Sequence, residues 1–336
     1  MFHKRKATCG MWGEMSSNKT HLERFASIVP LPYYGSYLAV GAMLFLITFV
    51  IIMIFEKTNQ HYAPFFILSI LISFQCTVIF WAHLKFMQLT DVIVEMIDLP
   101  RDLTLKWFDQ QEATMFNDKM MIIAGIAITV MAHIFQLDDF GFNFKLNILN
   151  FIIKFYYYLA HYIMGAGLYL LIATALVLYR MSRLPLDINI LLSKNIRFKG
   201  TIYSKFTVCA TITYLLWGIF HLTTPARLSA HTSMLWFSSF AMILIAYFVV
   251  PQYLIYRIIT NTKEKKLNEF LLQMKKKSEE AFENQSLERL SNLNDMLDVR
   301  DRLDEFCAWP FGFYEILHIF LIIIIPLMVV IVELLH

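Results

Sequence analysis

Seven apolar stretches divide the chain, and its basic residues fall almost wholly into alternate gaps between them. The stretches are 34–55, 63–84, 120–136, 155–179, 206–224, 233–256 and 316–335. Each approaches or exceeds the ~20 residues that a helix needs to cross a hydrocarbon core of about 30 Å. Of the 29 Lys and Arg, 25 lie before the first stretch, between the second and third, between the fourth and fifth, or between the sixth and seventh. Only Lys57, Lys145, Lys154 and Arg227 fall in the other gaps. Basic residues are retained on the cytoplasmic side of a membrane. The pattern therefore predicts an all-α polytopic protein with seven transmembrane helices, its amino terminus inside and its carboxyl terminus outside.

Composition agrees with that reading. A chain that is 58% hydrophobic and 16% charged is too apolar for a soluble domain of this length. The polar, basic opening contains no short apolar core with a cleavage site, so residues 1–33 are expected to be a cytoplasmic segment before a retained anchor. Cys9, Cys76, Cys209 and Cys307 fall inside spans or on the cytoplasmic side, with no CxxC spacing, so free thiols are expected and neither disulfides nor a structural zinc.

The expected exterior loops, 56–62, 137–147 and 225–232, are short. The soluble mass lies inside. An amphipathic run over 86–98 continues the second helix, Asp98-Leu-Pro100 breaks it, and a second short helix covers 102–116. The fourth helix runs from Asn150 to Met181, with Lys154 and Arg180 about 39 Å apart at 1.5 Å per residue. Arg183-Leu-Pro185-Leu-Asp187 ends it, and a basic loop through Lys205 leads into the fifth span. No stop follows Arg257, so the sixth helix is expected to continue into the cytosol, with a break near Asn284-Gln-Ser286. Residues 260–309 then form a helical arm, whose apolar face packs against another subunit or against 86–118 of the same chain. The division is thus a segment 1–33, a six-helix region 34–259, the arm, and a last helix within 310–336.

Ionisable groups at membrane depth are costly and invite functional readings. His83, His161, Glu315 and His318 are such groups. His133, His161, His221 and His231 fall toward the outer half with Asp138 and Asp139 at the same rim, where imidazoles and carboxylates could ligate a metal or move protons in a membrane-embedded enzyme, with His133, Asp138, His221 and His231 as the candidate ligands. Their spacings match no metal motif, and no nucleophile elbow or phosphate loop is present. Gly165-Ala-Gly167 reads as a close helix–helix contact. Lys263, Lys265, Lys266, Lys275, Lys276 and Lys277 suit anionic lipid headgroups, with a small anionic ligand or partner protein as further occupants and nucleic acid behind them. No cofactor is expected.

The last stretch differs from the others, running from Glu315 through β-branched residues and Pro326 to Glu333. In several copies around an axis, Ile322 to Met328 would form a hydrophobic constriction closed by dewetting, with Glu315 and Glu333 drawing cations to its mouths.

Two resemblances bear on this. The Arg183-Leu-Pro-Leu-Asp187 element and the ending Trp309-Pro310-Phe311 before a helix with Ile325-Pro326 resemble uncharacterised prokaryotic polytopic proteins. In that group a glycine-rich stretch follows the first element, where this chain has only Gly200. The layout is similar to insect chemoreceptor channels, although their Thr-Tyr…Gln-Phe ending is missing. That likeness implies a last helix lining a tetrameric pore. The expectation is a homo-oligomeric, tetrameric ion channel or membrane-depolarising effector, in a prokaryotic inner membrane an anti-phage one, gated by a cytoplasmic signal through the arm. The alternatives are an enzyme at the His/Asp rim and a non-conducting scaffold or sensor.

Overall fold

The computed structural model describes residues 20–26, 31, 33–55, 62–88, 90, 94, 97–136, 148–185, 195–223 and 230–284, with 297, 324, 328, 331 and 332 as isolated positions. This part of the chain is almost entirely helical. Its helices are α1 His21–Ala26, α2 Tyr33–Phe55, α3 Tyr62–Gln88, α4 Arg101–Met115, α5 Asp118–Gln136, α6 Ile148–Met181, α7 Asn195–Thr223 and α8 Ala230–Asn284.

Among the described residues, four stretches are long and apolar enough to cross a membrane: Tyr34–Ile54, Ala63–Gln88, Arg101–Ile134 and Lys154–Met181. The third passes through both α4 and α5. Because α4 carries Arg101, Asp102, Lys106, Asp109 and Glu112, the apolar part of that stretch is α5. The chain leaves helical geometry at Phe116 and Asn117. Asn117 then caps α5, its side-chain oxygen accepting the Met120 amide at 3.1 Å. Asp118 in the first turn complements the positive end of the helix.

The described residues form two compact units, one drawn from Met1–Phe86, Asp109–Leu170 and Ile219–Leu228, the other from Met87–Phe108, Leu171–Gly218 and Ser229–His336. In the first unit α3 is central. Phe65, Leu68, Leu71, Ile72 and Phe80 are buried along it. On α2, Leu38, Leu46, Met53 and Ile54 stay exposed while Tyr37 and Ile52 are buried. An apolar helix with so much uncovered surface suits hydrocarbon as its surroundings.

Small residues bring these helices close. A Cβ on Gly41 would sit 1.8 Å from Ser73 Oγ and 3.0 Å from the Ser69 carbonyl, so α2 and α3 touch at backbone distance. A Cβ on Gly165 of α6 would lie 2.4 Å from the Ala124 carbonyl oxygen of α5. The close contact expected of Gly165 is therefore present, whereas Gly167 faces open space. Tyr156 stitches α6 to α2, donating to the Leu44 carbonyl at 2.7 Å and accepting from Thr48 at 2.9 Å. Its ring stands edge-on to Phe65 at 5.8 Å.

In the second unit the Asp98 amide donates to the Pro185 carbonyl at 2.9 Å. Pro100 opens α4, its carbonyl accepting from Leu103 and Thr104. The expected end of the fourth helix holds: after Met181, the amides of Arg183 and Leu184 turn back onto Arg180 and Met181, and the Arg183 guanidinium lies over Tyr179 at 4.5 Å. The basic loop expected through Lys205 is corrected, since 195–205 is helical and begins α7. Adding turns to an existing helix is cheap, and Arg and Lys are good helix formers. The continuous sixth helix is found as α8, which passes Pro251 and ends at Asn284, near the expected break.

The glycines give a paired test. Replacing Gly165 with Ala forces backbone apart and should cost about 1–3 kcal/mol, while Gly167→Ala should be neutral or stabilising by up to about 1 kcal/mol through helix propensity. Unfolding of the two variants in detergent micelles measures the difference.

Candidate functional site

The most concentrated polar chemistry among the described residues gathers around α1, a helix too short to stand alone. Its start is a capping box. The Thr20 hydroxyl accepts the Glu23 amide at 3.3 Å, while Glu23 Oε2 accepts from the Thr20 amide at 2.8 Å and hydroxyl at 3.0 Å. That arrangement turns the other Glu23 oxygen toward α3. Oε1 lies 2.6 Å from Nδ1 of His83, whose Nε2 is 3.5 Å from Glu112 Oε1 on α4. All three side chains are at most 8% exposed. The Phe116 ring covers the imidazole, stacked at 3.9 Å.

His21, two residues before Glu23, and Arg24, one after it, build a second junction. The His21 amide and ring Nδ1 meet Asp118 Oδ1 at 2.7 and 2.5 Å, and Arg24 pairs with Oδ2 of the same carboxylate. On the far side of the His21 ring, Nε2 meets the Tyr162 hydroxyl of α6 at 2.9 Å. The Tyr37 hydroxyl of α2 donates to the Leu22 carbonyl at 3.3 Å. Six residues of helix are thus tied to α2, α3, α5 and α6 directly, and to α4 through His83.

The chemistry of the buried cluster follows from its donors. A carboxylate only accepts, and a neutral imidazole has one N–H. For both ring nitrogens to bond ionised carboxylates, His83 must be the imidazolium. A buried imidazolium with two such neighbours avoids the cost of burying an unpaired charge.

Of the candidate ligands expected at the outer rim, the side chains of His133 and His221 are described. His133 is exposed and meets the Tyr158 hydroxyl at 2.6 Å. His221 is buried, its ring edge-on to Phe220. Asp138 lies outside the described residues, as does the side chain of His231 at the start of α8. Among the described residues no group of three or more His, Cys, Asp or Glu is placed to hold a metal. His161, fully buried, turns Nδ1 to the Tyr157 carbonyl at 2.8 Å. A carbonyl accepts only, so that nitrogen carries the hydrogen.

On α8, Lys265, Lys275 and Lys276 are exposed and Lys263 is half-buried; the side chains of Lys266 and Lys277 lie outside the described residues. So do Glu315, Ile322, Pro326 and Glu333 of the last stretch, while Met328 is helical and exposed. Cys76 and Cys209 are free thiols, as expected; Cys9 and Cys307 are not described. No family model, curated protein or solved structure matches the chain.

Sequence reasoning singled out His83 but not its partners. Thr20-His-Leu-Glu23 is a capping-box signature that points to α1. Nothing local marks Glu112, which meets His83 only through the tertiary fold.

Removing one partner of the buried cluster leaves the others uncompensated. His83→Ala should cost about 3–5 kcal/mol. Asp118→Asn, in the partly exposed junction, should cost about 1 kcal/mol or less. Denaturant unfolding of the purified protein in micelles should rank them in that order.

Proposed function

We propose that this chain is a seven-pass membrane protein, amino terminus inside, that assembles around its last helix as a gated ion channel. The observation that carries this reading is α8. It is one helix over 55 residues, roughly 80 Å at 1.5 Å per residue. Its first half contains the apolar stretch 233–256, read as the sixth span, and the half after Arg257 carries Lys263, Glu264, Lys265, Glu269, Lys275, Lys276 and Glu279. An unbroken helix carries displacement along its length, so a partner or anionic ligand bound at those lysines could move the membrane half. The rest of the 260–309 arm leads into the last stretch, where Ile322, Pro326 and Met328 form the constriction and Glu315 and Glu333 its mouths. The tetramer is the assembly of choice, because four copies of one helix close a narrow pore.

Ion flux into liposomes tests the reading. Ile322→Ser and Met328→Ser place hydroxyls in a dewetted gate and should raise basal leak severalfold, while Leu46→Ser on the exposed face of α2 should not. Absence of flux from wild type and every variant would contradict the channel.

A further inference from the structure

We propose that Glu23, His83 and Glu112 form a proton-operated latch, in which His83 holds α1 and α4 together only while both of its ring nitrogens carry hydrogen. The inference goes beyond the channel reading and does not depend on it.

The number of hydrogens on the ring decides which contacts the cluster can make. The closer contact, Nδ1 to Glu23 at 2.6 Å, and the longer one, Nε2 to Glu112 at 3.5 Å, each place a ring nitrogen opposite a carboxylate oxygen. With one further proton on the cluster, an imidazolium bonds both carboxylates. With two, one carboxyl is protonated as well, the cluster is neutral, and both contacts persist. When the imidazolium loses its proton, one N–H remains for two carboxylates. The shorter contact keeps it. Nε2 then turns a lone pair toward Glu112, and two acceptors face each other in a buried site. The contact to α4 is the one that opens.

The neighbouring junction differs in a way that matters. There the carboxylate of Asp118 meets the guanidinium of Arg24 as well as His21. A guanidinium makes a permanent tie; an imidazole makes one that a proton controls. Among the described residues, the charged and titratable groups near the latch include Glu23 and Glu112 facing the ring, Lys85 two residues on in α3, and the His21–Arg24–Asp118 junction with Tyr162 of α6. Tyr37 of α2 bonds the backbone at Leu22. Phe116, stacked on the ring, shields it on one face and carries no charge.

The test uses the full chain in lipid nanodiscs, with nitroxides on a keto-phenylalanine analogue at the exposed positions Phe25 of α1 and Gln110 of α4. The distance between them is measured across pH, and 15N-labelled histidine reports the ring hydrogens of His83, assigned by loss of its signal in His83→Gln. As pH rises, the ring should pass from two N–H groups to one on Nδ1, and the Phe25–Gln110 distance should lengthen in step. Glu112→Gln is the decisive variant. A carboxamide accepts from a protonated Nε2 and donates to a bare one, so it bonds the ring in both states. The distance step should therefore vanish while His83 still titrates. The latch is overturned if the wild-type distance stays constant while the ring converts, if the ring never holds two hydrogens, or if the step survives in Glu112→Gln.

Discussion

A backbone amide surrounded by hydrocarbon has no water to bond, so it must find its partner within its own helix. That constraint organises this chain. It explains why the described residues are almost wholly helical, and why hydroxyls along the helices turn inward onto their own backbone. Ser69, Ser73, Thr77, Thr129, Thr213 and Thr262 each donate to the carbonyl four residues back. With hydrocarbon outside, apolar surface gives helices little reason to associate, and contact must come from close fit and from polar pairs. Gly41 against Ser73 and Gly165 against Ala124 supply the first; Tyr156 with Thr48 supplies the second.

Charge obeys the same rule. The ionised groups of α1 are each met by a partner from another helix, and a short segment with no stability of its own becomes the place where five helices are fastened. The capping box sets this up. By committing one Glu23 oxygen to Thr20, it fixes the other where His83 can reach it, so a local helix signal determines a long-range contact. The Arg24 tie is permanent and the His83 tie is conditional, which gives the two junctions different roles although they stand one residue apart.

Much of the helical layout was legible from hydropathy, because a span is a local property of about twenty residues. The break before Asn117, the stop after Met181 and the unbroken course of α8 past Arg257 all follow from turn and cap chemistry visible in the chain. The helical course of 195–205 was not, since Ile196 and Phe198 alternate with Arg197 and Lys199 without a helical period, and helix there is inherited from the turns that follow. The buried cluster was half legible. His83 stands out as an imidazole in an apolar stretch, and Thr20 with Glu23 as a cap. Their meeting with Glu112 depends on how α3 and α4 pack, which no local pattern encodes.

The account turns on the bilayer, with Phe25, Ala113 and Lys275 proposed on its inner face and Lys57 and Lys145 on its outer face. Single cysteines at these positions, in sealed vesicles of known orientation, can be challenged with a membrane-impermeant maleimide. The account predicts that Phe25→Cys, Ala113→Cys and Lys275→Cys react only from the inner side, and Lys57→Cys and Lys145→Cys only from the outer side. Reaction of Lys275→Cys and Lys145→Cys from the same side would contradict it.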